Sequence, residues 1–216
     1  MLLRCSNYHH SKAGLWEPIK IGLYEDIFKE WKLNYSYYII LTAVIFTIFT
    51  LHLLLFALRK SEKEYLYFGI FSMMIFIRNL TVNMRVLFEW FPDFNYEIYE
   101  KIEYFSAYGT PMAIGLFFYY SLKEDFHKPV IKGILVYGVI VFLCILVLPV
   151  YYYSQLKVPF NLYILLTGSY IVFYLVPTAM FRKRKYSKLL FLGVINLFIA
   201  AVFDIFRSSQ VIHFST

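Results

Sequence analysis

The apolar and polar positions divide this chain into six long apolar runs separated by short polar loops. Each run has roughly twenty residues, enough for an α-helix to cross about 30 Å of hydrocarbon at roughly 1.5 Å per residue. The pattern therefore predicts an all-α fold, a polytopic transmembrane helix bundle over residues 36–212. The six predicted helices cover residues 36–58, 65–90, 98–122, 130–150, 158–181 and 189–207.

Composition favours a membrane protein over a soluble one. Hydrophobic residues make up 60% of the chain and charged residues only 16%, whereas a soluble domain is about one-quarter charged. A soluble helical core is not favoured, because nothing else in the chain could cover six such runs. The net charge of +7 does not indicate a nucleic-acid partner, because the cations cluster in loops between apolar runs, where membrane topology requires them.

Cations are concentrated in alternate loops, which predicts the side of the membrane that each loop occupies. The other loops carry little beyond Lys101 and Lys157. Because lysine and arginine are retained on the cytoplasmic side, we expect the basic loops inside and the N-terminus outside the inner (plasma) membrane. Six helices would return the C-terminus to the outside. The expected topology determinants are Arg59, Lys60, Lys63, Arg182, Lys183, Arg184, Lys185 and Lys188, supported by Lys123 and Lys128.

Residues 1–35 are more polar and are predicted to form an extracytoplasmic juxtamembrane segment. The stretch from Pro18 to Leu23 alternates apolar and polar positions and contains a glycine, a pattern typical of the last strand and turn of an upstream β domain. A plain juxtamembrane linker is the alternative. Trp31 and Tyr35 are suited to the membrane interface.

Charged residues inside the predicted helices are the candidate functional residues. Arg78 lies near the middle of the second run, where a charge costs at least about 2.5 kcal/mol, so it should face the bundle and have a partner. Arg85 follows on the same helical face. Its depth matches that of Glu103 in the third run, which predicts a contact between these two side chains. Asp204 in the sixth run can pair with Arg78 or with Arg207.

Two interpretations remain open for these ligand or switch candidates, Arg78, Arg85, Glu103 and Asp204. They can form a polar cavity that opens to the outside and either binds a small ligand or acts as a switch. They can also form a structural network that sets the register of the helices. Pro111 in the third run predicts a kink in that helix.

The sequence contains no motif of a catalytic, metal or cofactor site. It has no His-Glu-x-x-His, no Gly-x-Ser-x-Gly and no glycine-rich phosphate loop. His52 stands alone in the first run, and Cys5 and Cys144 lie too far apart to suggest a metal-binding spacing. We therefore expect no catalytic residue, no metal and no cofactor.

Three stretches carry a resemblance to a known family. Residues 18–23, Pro-Ile-Lys-Ile-Gly-Leu, are similar to the exit from an extracellular domain. In residues 53–69 a basic turn leads into Tyr-Leu-Tyr-Phe, and residues 203–206 are Phe-Asp-Ile-Phe. In this order they resemble the membrane region of the bacterial seven-transmembrane receptors with diverse intracellular signalling modules. The resemblance implies an extracellular carbohydrate-binding-like domain, seven helices and a cytoplasmic output module, such as a histidine kinase, a cyclase or a phosphatase.

The chain departs from this family pattern in length and helix number. It has too few residues for the extracellular domain and the output module, and six predicted helices stand where the family has seven. A receptor that reports inward from an outside N-terminus needs an odd number of helices. We therefore expect a truncated receptor region, not itself an enzyme. Its expected function is to pass an extracytoplasmic ligand signal to a cytoplasmic output module that this chain does not contain.

Expected partners follow from this interpretation. They are the lipid bilayer, an extracytoplasmic small molecule or carbohydrate, a cytoplasmic kinase or cyclase module, and a second copy of the chain. Nucleic acid is not expected. The rival hypothesis is a small six-helix membrane transporter or intramembrane enzyme, which would need a closed substrate path.

Overall fold

The structure, a computed structural model, describes residues 21–82, 85–184 and 186–208. Within these ranges the chain is helical and contains no strand, which confirms the predicted all-α helical bundle. The predicted end of an upstream β domain, residues 18–23, lies mostly outside the described residues. The helices are α1 (Tyr24–Leu58), α2 (Lys63–Thr81), α3 (Val86–Trp90), α4 (Tyr96–Ser121), α5 (Lys128–Val147), α6 (Val150–Gln155), α7 (Lys157–Ser169), a π-helical segment (Tyr170–Leu175), α8 (Val176–Phe181) and α9 (Ser187–Ser208).

Helix α1 begins at Tyr24, well before the predicted start at residue 36, and has 35 residues. At roughly 1.5 Å per residue it is about 52 Å long, so it extends beyond about 30 Å of hydrocarbon. Aromatic side chains spaced three or four apart continue the helix outward, because Tyr24, Phe28, Trp31 and Tyr35 stack on one another in sequence. The predicted juxtamembrane segment is therefore helical from Tyr24 onward.

Helix α2 ends at Thr81, earlier than the predicted end at residue 90. The Thr81 carbonyl would accept the Arg85 amide in a continuing helix, but it accepts the Tyr99 hydroxyl of α4 instead. Arg85 adopts a left-handed conformation (φ 47°) and caps α3. The prediction that Arg85 shares a helical face with Arg78 is therefore wrong.

The most polar long helices, α2 and α4, lie inside the bundle. Helix α4 packs on α2, α5 and α7, whereas α1 covers α2, and α9 packs on α7, the π-helical segment and α8. Among the described residues, four helical stretches are long and apolar enough to cross a membrane: 24–58, 128–147, 157–181 and 187–206. Helices α2 and α4 are less apolar and are not in this group, so the count of six spans stays a prediction.

Close approach of α4 and α5 depends on a glycine. A Cβ atom on Gly138 of α5 would lie 2.2 Å from the Met112 sulfur of α4. Small residues at such positions let membrane helices approach and gain van der Waals contact. One apolar cluster forms beside this contact, around Tyr104, Val141 and Ile145.

The chain between α5 and α9 departs from the two predicted runs in two places. Helix α5 ends at Val147, and Pro149 starts the separate short helix α6, because proline cannot donate to a continuing helix. Farther along, residues 170–175 are π-helical, and Pro177 opens α8 directly afterwards. π-Helical turns inside α-helices are rare and occur frequently at functional sites.

Candidate functional site

An ion pair joins α2 to α9. The Arg78 Nη2 and the Asp204 Oδ2 lie 2.5 Å apart, and the two side chains are 28% and 49% exposed. The structure thus adopts one of the two pairings that the sequence left open for Asp204. The side chain of Arg207, the other possible partner, lies outside the described part of the chain. The pair removes most of the penalty that a lone arginine has in a bundle of apolar helices.

Two carboxylates lie on α4 close to this ion pair. Glu100 is buried with 5% exposure, and Glu103, three residues later, is half-buried. Glu103 has Arg78 and Arg85 as cationic neighbours and Glu100 and Asp204 as anionic ones. The predicted direct contact between Arg85 and Glu103 is not among the ion pairs of the described residues. Because α2 ends at Thr81, Arg85 lies on a linker and not on the helix that would have brought it to Glu103.

Tyr153 of α6 is a site residue that sequence reasoning missed. Tyr151, Tyr152 and Tyr153 follow one another in the sequence, and the first two are 51% and 58% exposed. Tyr153 is fully buried, and its hydroxyl has no hydrogen-bond partner. Its ring packs edge-on against Tyr104 of α4, with the centroids 4.9 Å apart. Only the helical phase set by Pro149 distinguishes Tyr153 from its neighbours in the sequence.

We call these groups the polar site: Arg78, Arg85, Glu100, Glu103, Tyr153 and Asp204. They come from α2, the linker before α3, the first turns of α4, α6 and the last turns of α9. All of these segments meet at the end of the bundle opposite to the basic loops. The arrangement can bind a small polar group or change its ion pairing, and it offers no nucleophile activated by a neighbouring base.

A second charged cluster lies at the basic end of the bundle. The Asp125 carboxylate accepts from Arg182 Nη1 at 2.5 Å and from Arg184 Nε at 3.1 Å, and its side chain is 1% exposed. Arg184 also pairs with Glu124. We call these four residues the loop clamp, because they join the α4–α5 loop to the α8–α9 loop. The hydrogen bond that Arg184 donates to Glu124, together with Asp125, raises the pKa of Arg184 above its usual value, so Arg184 stays charged.

The loop clamp continues into the π-helical segment. The two ring nitrogens of His127 lie 3.4 Å from the hydroxyls of Tyr170 and Tyr174, and the His127 amide donates to the Tyr170 hydroxyl at 3.2 Å. Both tyrosines belong to the π-helical turn. The α4–α5 loop therefore contacts α9 through the clamp and the π-helical segment through His127.

Comparison with known proteins identifies the family. Residues 34–216 match the model of the family described as 7TM diverse intracellular signalling. The chain belongs to the 7TM diverse intracellular signalling family. This confirms the predicted resemblance and shows a membrane protein with a signalling, receptor-like membrane region. No curated protein and no solved structure matches the chain.

The other predicted residues of this 7TM diverse intracellular signalling chain have separate roles. Arg59 pairs with Glu62 at 3.5 Å, and the Lys63 ammonium lies 5.5 Å from the centroid of the Tyr120 ring. Lys183 and Lys188 are exposed, and Lys185 lies outside the described residues. In the ranges described, no group of three or more histidine, cysteine or acidic side chains could hold a metal ion.

Proposed function

We propose that this chain is the membrane region of a receptor that carries a signal from outside the cell to a cytoplasmic output module of the kinase or cyclase type. The family match supports a signalling role over the transporter or intramembrane enzyme. The excess of cations in the loops at the clamp end supports placing that end in the cytoplasm of a plasma-membrane protein, with the N-terminus outside.

Helix α9 is the element that transmits the signal in this proposal. Near its end, Asp204 pairs with Arg78 of α2, and just before its start, Arg182 and Arg184 pair with Asp125. A helix held at both ends by charged groups moves as one body when either contact changes. Loss or rotation of the outer ion pair would therefore displace the loop that forms the clamp.

Helix α4 provides a parallel connection between the two ends. Its first turns carry Glu100 and Glu103 in the polar site, and its last turn leads directly into Glu124 and Asp125 in the clamp. The polar site thus contacts both helices that reach the clamp. Signalling through such a bundle requires two packings of similar free energy whose populations the ligand shifts.

The single observation that carries this proposal is the Arg78–Asp204 ion pair. An arginine at this depth costs at least about 2.5 kcal/mol without a partner, so a ligand that competes for either side chain acts directly on the contact between α2 and α9. In this proposal such competition is the chemical input to a two-state helix bundle.

Spin labels across the clamp test this coupling. Lys123→Cys and Lys183→Cys place labels on two exposed loop positions in a background with serine in place of the native cysteines. In lipid nanodiscs we expect Arg78→Asp to lengthen and broaden the label-to-label distance. Adding Asp204→Arg should restore it by recreating the pair in the opposite orientation.

A conservative variant guards against simple misfolding. Arg78→Lys keeps the charge and should retain the wild-type distance distribution, and every variant is first checked for a monodisperse, helical protein. If the folded Arg78→Asp protein shows the wild-type distance, the outer ion pair does not govern the clamp and the proposed coupling is wrong.

A further inference from the structure

The Tyr153 hydroxyl is a buried polar group that nothing in the described chain satisfies. Tyr153 is fully buried and its hydroxyl oxygen has no hydrogen-bond partner. A buried hydroxyl without a partner loses the hydrogen bonds that water gave it in the unfolded chain, so such groups are rare and call for an explanation. A bound polar ligand would supply the partner.

The groups around this hydroxyl are acidic. Among its ionisable neighbours, Glu100 has the largest electrostatic effect on the Tyr153 hydroxyl, followed by Glu97, Tyr96 and Glu103. All of them lie on the first turns of α4. Tyr153 therefore faces the same end of α4 that contributes two carboxylates to the polar site.

Charge is not balanced among the residues of the polar site. Arg78 and Asp204 neutralise each other, which leaves Arg85 as the one remaining cation of the polar site against Glu100 and Glu103. Neither of these glutamates forms an ion pair within the described residues. The polar site thus lacks one positive charge, and a buried carboxylate without a counter-charge is costly.

The nearby lysine does not supply this charge. The Lys101 ammonium lies 3.1 Å from Glu97 and 3.3 Å from the Leu146 carbonyl oxygen. It is therefore directed away from the buried side of α4, towards α5. Lys101 therefore does not balance Glu100 or Glu103.

We propose that the polar site binds the protonated amine of a small extracytoplasmic molecule between Glu100, Glu103 and Tyr153. A primary ammonium has three N–H donors, which match two carboxylates and a phenolic oxygen. The Tyr153 and Tyr104 rings pack edge to face, so the surroundings of the Tyr153 hydroxyl are aromatic, which suits a cation. This inference rests on the proposed function and names the chemical class of its ligand.

Binding is tested on the full chain in nanodiscs with 2-phenylethylamine as the probe and 2-phenylethanol as its neutral analogue. We expect saturable binding of the amine by calorimetry and none of the alcohol. Glu100→Gln and Tyr153→Phe remove one acceptor each and should weaken binding by about tenfold or more, the scale of one charge-assisted hydrogen bond.

Glu97→Gln is the matched control. Glu97 lies on the same helix but is half exposed and paired with Lys101, so this variant should bind the amine like the wild type. Equal binding of amine and alcohol would overturn the proposal, as would unchanged affinity in folded Glu100→Gln and Tyr153→Phe. Absence of amine binding at acid, neutral and alkaline pH would also overturn it. Bound protons, not an amine, would then neutralise the carboxylates.

The two proposals fail in different ways. Suppose that the amine does not bind, but Arg78→Asp still lengthens the distance between the clamp labels and added Asp204→Arg still restores it. The ligand class is then wrong and the coupling stands. If the amine binds through Glu100 and Tyr153 but the clamp labels never respond to the ion pair, the site stands and the proposed signalling path is wrong.

Discussion

Arg78 and Asp204 are separated by 126 positions in the sequence, yet their side chains form an ion pair 2.5 Å long. The pair joins α2, in the middle of the bundle, to α9 at its edge. The two side chains are partly exposed, 28% and 49%, so the pair is not sealed inside the bundle. This relationship connects the polar site to the helix that begins at the loop clamp.

Replacing Arg78 with methionine should destabilise the bundle. We expect a loss of about 1–2 kcal/mol, below the 3–5 kcal/mol of a fully buried pair because both side chains are partly exposed. Adding Asp204→Leu should recover part of this loss, since no charge is then left without its partner. Thermal unfolding of Arg78→Met, Asp204→Leu and the double variant in one detergent measures the coupling. Strictly additive losses would show that the pair contributes no interaction free energy.

Removing the Asp125 carboxylate should open the loop clamp. Asp125→Ala deletes the acceptor for both Arg182 and Arg184, and we expect a loss of about 1–3 kcal/mol, because the arginines remain partly solvated. Trypsin should then cleave the basic loop after Arg182 faster than in the wild type. Glu124→Gln alters a carboxylate that is 75% exposed and pairs with Arg184 but not with Arg182, so it should raise the rate much less than Asp125→Ala. Equal cleavage rates for the wild type and Asp125→Ala would argue against the clamp.

The loop clamp should resist alkaline pH. Glu124 and Asp125 raise the pKa of Arg184 in the folded protein. The contribution of Arg184 to stability is therefore fully present below its unfolded-state pKa and is lost only as pH rises through its higher folded-state pKa. Arginine therefore stays charged throughout the ordinary alkaline range. Arg184→Lys should move this loss towards about pH 10.4, the usual lysine pKa. The distance between labels at Lys123→Cys and Lys183→Cys, followed with rising pH, measures it. Identical alkaline profiles with arginine and lysine would contradict the assignment.

Gly138→Ala should disturb the contact between α4 and α5. Its Cβ atom would lie 2.2 Å from the Met112 sulfur, so the helices must separate or the methionine must move, at about 1–3 kcal/mol. Gly133→Ala on the same helix is the control, because its Cβ would meet nothing within 4 Å. That variant should be neutral or slightly stabilising, since alanine favours helix. Thermal unfolding compares the two, and equal effects would show that the contact is not tight.

The proposed orientation predicts where single cysteines are labelled. Lys123→Cys should react with an impermeant maleimide only when the cytoplasmic side is accessible. Tyr151→Cys, on the exposed surface of α6, should react when the reagent reaches only the outer face of the plasma membrane. Both are introduced with Cys5 and Cys144 replaced by serine. The reversed labelling pattern would show that the orientation in the membrane is opposite to the proposed one, and it would not affect the description of the fold.

The sequence by itself determined the features that depend on local composition. The all-α class followed from apolar runs of membrane-spanning length, because length and hydropathy are properties of each segment alone. The sequence also singled out Arg78 and Asp204 as charges that need partners. A charge inside an apolar run of membrane-spanning length is costly without a partner, whichever helix supplies that partner.

Only the tertiary structure decided which groups meet. The Tyr99 hydroxyl donates to the Thr81 carbonyl where α2 ends. Arg85 therefore lies on a linker and not on α2, and no local pattern in residues 65–90 encodes that contact. The burial of Tyr153 and the pairing of Asp125 with Arg182 likewise depend on segments brought together by packing. Hydropathy places each helix in the membrane, but side-chain contacts between distant helices set where a helix ends and which charges are paired.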